Sequence, residues 1–81
     1  MDRYETTCRM ENRHTGKVTH ANYNLSDAAE LKEWVRNAVS VGLEFSVRHY
    51  SDMYGLSPYR TIARGYRKMS GEYIVDADWK V

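Results

Sequence analysis

Between Asp27 and Gly42 the apolar residues Leu31, Trp34, Val35, Ala38 and Val39 fall at i, i+3, i+4, i+7 and i+8. That spacing places them on one face of an α-helix, with Glu30, Glu33, Arg36 and Asn37 on the others. Ser26 or Asp27 can cap its start, and Asp27 with Glu30 has the spacing of a capping box. Acids lie toward the beginning and Lys32 and Arg36 come later, which suits the helix dipole. Gly42 then supplies the residue on which such helices usually end. A single apolar stripe cannot bury itself, so this helix has to cover a sheet.

The flanking segments supply strands. From Arg3 to Asn12 the chain alternates, with Tyr4, Thr6, Cys8 and Met10 on one side and Arg3, Glu5, Thr7, Arg9 and Glu11 on the other. Arg13-His14-Thr15-Gly16 reads as a turn. Lys17 to Leu25 resumes the alternation with Thr19, Ala21, Tyr23 and Leu25 on a shared face, which makes an antiparallel hairpin. After the helix, Leu43, Phe45 and Val47 point inward, with Glu44 and Ser46 outward. Residues 51–57 read as a loop. At the end of the chain Tyr73, Val75, Ala77, Trp79 and Val81 alternate against Glu72, Ile74, Asp76, Asp78 and Lys80, which predicts a strand.

The segment from Ser57 to Lys68 supports two readings. Ser57-Pro58 resembles a helix start, with Tyr59, Ile62, Ala63 and Tyr66 at helical spacing and Arg60, Arg64, Arg67 and Lys68 opposite. A strand through residues 60–63 with a turn or bulge at Gly65 competes with it. Taking the helix gives the order β-β-α-β-α-β. The expected fold is α+β: about four strands, open to mixed polarity, with two helices on one face. At 81 residues the chain is expected to form a single domain, residues 1–81.

Charged residues make up 28% and hydrophobic residues 42%, which argues against disorder. Cys8 is the only cysteine, so no internal disulfide can form, and no apolar run follows Met-Asp-Arg-Tyr-Glu. These features predict a cytoplasmic protein without a signal peptide and without a membrane partner. Catalytic and ligand constellations are missing from the pattern. Cys8, His14, His20 and His49 are scattered; only the hairpin could bring Cys8 near His20, too few ligands for zinc. No Gly-rich phosphate loop or nucleophile elbow occurs, and Asp76 and Asp78 suit a solvated strand face better than a metal pair. The chain is therefore expected to be no enzyme and to need no cofactor or metal.

The positive signal is a basic, tyrosine-rich stretch. Formal net charge is only +1, yet residues 48–68 hold five Lys or Arg against the single acid Asp52. Seven tyrosines accompany one phenylalanine, and tyrosine suits half-exposed recognition surfaces. The candidate binding surface is Arg48, Tyr50, Tyr54, Tyr59, Arg60, Arg64, Arg67 and Lys68. The expected function is a small regulator or inhibitor docking onto another protein with an acidic surface. The alternative is a nucleic-acid-binding protein that contacts phosphates through the same segment. A sheet edge could also pair with a partner or with a second copy in a homodimer.

Overall fold

The computed structural model describes residues 2–12, 14–51 and 58–81. The elements are β1 (Arg3–Glu11), β2 (Val18–Leu25), α1 (Ala28–Ser40), β3 (Glu44–Tyr50), β4 (Arg60–Arg67) and β5 (Tyr73–Ala77). All strand pairs are antiparallel, and the sheet order is β2-β1-β3-β4-β5. Both β2 and β3 run against β1 and so run the same way on either side of it. α1 is thus the crossover of a split βαβ unit, and β3-β4-β5 is a meander.

This architecture corrects the expected fold: five antiparallel strands and one helix replace four strands and two helices. The difference lies at Arg60–Arg67, which is a strand between β3 and β5. Two features disguise it. The register shifts between Val47 and Arg48, so β4 has one more residue there than β3 and Ile62 and Ala63 both reach the core. This bulge breaks the period-2 pattern and gives the pair a helix-like look. Further on, the inward position is Gly65, which contributes no apolar side chain to the count. As a strand, this segment pairs the outer edge of β3, which a helix would have left unbonded.

The remaining elements form as their residues dictate. The Asp27 carboxylate accepts from the Ala29 amide at 2.9 Å and caps α1. At the other end the Gly42 amide donates to the Val39 carbonyl at 3.1 Å and the Leu43 amide to Ala38 at 2.9 Å. Gly42 has φ +67°, a left-handed turn that side chains resist. In the β1–β2 connection Asn12 accepts from the His14 amide at 2.9 Å, and the Gly16 amide donates to the Asn12 carbonyl at 2.7 Å. Arg13 and residues 52–57, where the sequence suggests a loop and a Ser57 cap, lie outside the described residues.

α1 lays Leu31, Val35 and Ala38 onto Cys8, Phe45, Val47 and Ala63. Full burial of residues the size of Leu31 and Val35 stabilises by roughly 1.5–3 kcal/mol each. Trp34 meets the Phe45 ring edge-on at 5.7 Å, and Val39, Leu43, Ala77 and Trp79 pack around the margin. β5 is shorter than the expected strand. Past Ala77 the Asp78 amide still bonds the Ile62 carbonyl at 3.0 Å. Among the described residues no helix is long and apolar enough to cross a membrane.

At Gly65 the strands β3, β4 and β5 approach closely. A Cβ there would stand 2.4 Å from Phe45 Cε1 and 2.5 Å from the Tyr73 hydroxyl. The missing side chain lets Tyr73 of β5 reach across β4 and donate to the Leu43 carbonyl at 2.6 Å.

Candidate functional site

Because α1 occupies one face, the side chains that alternate away from it form the opposite, helix-free face. In register, Glu5, Arg48 and Thr61 lie side by side across β1, β3 and β4, and Thr7, Ser46 and Arg64 form the next row. Arg3 stands beside Tyr50, and Arg64 beside Asp76 of β5. The face is gently hollow, with an open depression of about 450 Å³ lined by residues that include Arg9, His20, Arg48, Tyr59, Arg64 and Tyr66. A hollow this open and polar does not enclose a small molecule as a ligand pocket does.

Three arginines of this face, Arg3, Arg48 and Arg64, lie over tyrosine rings. Guanidinium carbons lie 4.1 Å from the Tyr50 centroid for Arg3, 4.5 Å from Tyr59 for Arg48, and 4.4 Å from Tyr66 for Arg64. Tyr50 and Tyr59 are themselves 5.6 Å apart and tilted. Each such contact is worth about 0.5–1 kcal/mol at an exposed site. More important is the geometry. A ring holds the plane of the guanidinium while its in-plane N–H donors remain free to meet a carboxylate or phosphate.

Acids are interleaved with these bases. Glu5 lies 3.7 Å from both Arg3 and Arg48, and Arg9 is 3.2 Å from Glu44 and 3.7 Å from Glu11. Surface pairs contribute about 0–1 kcal/mol, and those of Arg9 are the more exposed ones here. Arg64 makes no ion pair among the described residues.

Of the eight residues proposed from sequence, Arg48, Tyr50, Tyr59 and Arg64 come together here. Tyr50 is buried beneath Arg3 and Tyr59, whereas Tyr59 is half exposed. Arg60 pairs with Asp78. Arg67 lies on the α1 side, contacts the carbonyls of Gly71 and Gly42 at 3.3 and 3.5 Å, and stands 5.4 Å from the Tyr73 ring. Lys68 lies in the following turn, 3.9 Å from Glu72. Tyr54 is outside the described residues. Sequence reasoning missed Arg3 and Tyr66 as members of this face. The alternation of β1 already put Arg3 on the side away from the helix, and that was the available signal.

Other chemistry finds little support in the geometry. Cys8 is buried toward α1, while His20 neighbours Arg9 on the opposite face, so the hairpin does not bring the two together as ligands. No group of three or more His, Cys, Asp or Glu side chains converges among the described residues. Among the described residues, the titration that departs clearly from ordinary is that of Tyr73, away from this face. Burial raises its phenol pKa and Glu44 adds to the rise, while the Arg67 charge opposes it.

No protein-family model, no curated protein and no solved structure matches the chain.

Proposed function

We propose that this chain is a small non-catalytic binding protein, a regulator or inhibitor, that docks its helix-free sheet face onto a protein presenting carboxylates. The observation that carries the reading is the stacking of Arg48 on Tyr59 and of Arg64 on Tyr66. Rings orient the donors, and tyrosine and arginine are the side chains that dominate binding energy at protein interfaces. A protein suits this face better than a nucleic acid does. Glu5, Glu11 and Glu44 sit among the arginines and would repel a continuous row of phosphates, whereas a partner with mixed charge can match them. The reading sets the protein in a reducing cytoplasm, where a lone buried Cys8 needs no partner.

The test is affinity capture from the source cell with the wild-type chain and with an Arg48→Ser/Arg64→Ser variant. Expected is one stoichiometric protein retained by the wild type, released as salt rises and lost with the variant. Equal retention by both chains refutes the face. Salt-sensitive binding to unrelated DNA or RNA, lost on the same substitutions, refutes the protein partner in favour of nucleic acid.

A further inference from the structure

Four of the five strands carry charge: β1 holds Arg3, Glu5, Arg9 and Glu11, and β3, β4 and β5 hold Arg48, Arg64 and Asp76 among others. β2 is the exception. Its eight residues, Val18–Leu25, contain no Lys, Arg, Asp, Glu or Pro, and β2 is an edge of the sheet. The other edge, β5, is five residues long, contains Asp76 and is flanked by Glu72 and Asp78. Proteins blunt edge strands with shortness, charge or proline, because an open edge invites pairing. β5 has two of these protections and β2 has none.

Exposed apolar surface gathers at the same edge. One helix is about 10–12 Å across and strands repeat about every 4.8 Å, so α1 cannot span five strands. Beside β2 it leaves a trough of about 320 Å³ lined by Met10, Tyr23, Trp34 and Val41 among others. Met10, Tyr23 and Val41 are 45%, 49% and 75% exposed.

The composition of β2 points to one occupant. A foreign strand can be selected by opposite charges. A strand that pairs antiparallel with its own copy sets the residues at the two-fold axis against themselves, so a charge there would meet its like; in β2 the central Ala21 and Asn22 are neutral. We infer that β2 pairs antiparallel with β2 of a second copy, about an axis normal to the sheet near Ala21 and Asn22. The two sheets then join into one, with both α1 helices on the same side. Tyr23 lies over Thr19 or Ala21 of the second copy, and Asn22 meets His20 or Asn22. This uses the edge of the sheet and not its helix-free face, so it does not rest on the docking reading.

The test is sedimentation of the full chain from about 1 μM to about 1 mM, with amide hydrogen exchange at both ends of that range. Expected is a reversible passage to twice the 9.5 kDa chain mass, with alternate amides of β2 slowing as it occurs. Asn22→Lys and Asn22→Glu each weaken association by about tenfold or more, through like charges at the axis. An equimolar mixture of the two restores a one-to-one dimer. A 9.5 kDa mass throughout overturns the inference. So does a dimer whose β2 amides exchange as freely as in dilute solution, or a mixture that behaves like its components. Asn22 is exposed, and the mixture is read against each variant alone, so a small loss of stability cannot imitate the rescue. A monomer would leave docking through Arg48 and Arg64 untouched.

Discussion

Replacing Gly65 with alanine tests whether the close approach of β3, β4 and β5 organises this sheet. Gly65 has no positive φ, so alanine meets no backbone penalty, and the effect is one of space. The new methyl would stand 2.4 Å from Phe45 Cε1, on a ring that is only 5% exposed, and 2.5 Å from the Tyr73 hydroxyl. Overpacking of this kind costs about 1–3 kcal/mol. Pushing the hydroxyl off the Leu43 carbonyl adds about 0.5–1.5 kcal/mol, and the lower chain entropy of alanine returns about 0.5–1 kcal/mol. The net loss is about 2 kcal/mol, which for a domain this size lowers Tm by about 8–16 °C. Urea unfolding followed by the fluorescence of Trp34 and Trp79 measures it. Tyr73→Phe alone costs about 1 kcal/mol, and in the double variant the hydroxyl clash is gone, so the two losses add to less than their sum. Gly65→Ala within about 0.5 kcal/mol of wild type, or a strictly additive cycle, would refute the packing argument.

Three further outcomes follow from the same structure. Asp27→Ala removes the cap of α1 and lowers stability by about 1 kcal/mol in the same urea titration, while Asp27→Asn retains most of it. Gly42→Ala forces a side chain into φ +67° and costs about 1–2 kcal/mol, with α1 shortened in circular dichroism. Tyr73 holds its proton more tightly folded than unfolded. Its contribution is therefore complete below pH about 10 and is lost as pH rises from there through its raised folded pKa. A pH series of stabilities shows this decline in wild type and a flatter curve in Tyr73→Phe.

Much of the fold is legible in the residues. α1 announces itself because Leu31, Trp34, Val35 and Ala38 all need the same side, and its two ends carry residues that only ends require. β1, β2, β3 and β5 are legible because inward and outward residues mostly alternate in polarity, with Val18 of β2 and Ile74 of β5 as apolar exceptions on the outward side. β4 is obscure because its inward side is made of Ala63 and Gly65, chosen for closeness and not for apolar area, and because the bulge at Ile62 resets the alternation. The misreading carried over to the site. On a helix Arg60, Arg64, Arg67 and Lys68 would share one side; on a strand Arg64 and Arg67 fall on opposite faces. Arg3 joins Arg48 only through the pairing of β1 with β3, a neighbourhood that no local pattern contains.

The position of β1 between β2 and β3 sets an order of events during synthesis. The β1–β2 hairpin can close as soon as Leu25 has emerged, since its two strands are separated by a short turn. The other side of β1 must wait for β3, whose Tyr50 pairs with Arg3 across α1 and the whole of β2. Until then β1 has one satisfied edge and one open edge, and Thr6 and Cys8 lack the helix that later covers them. Closing so long a loop is slow compared with forming the hairpin, so the ribosome-bound chain passes through a stage that is two-stranded and sticky. Protection at that stage has to come from outside the chain or from the speed of the next twenty-five residues.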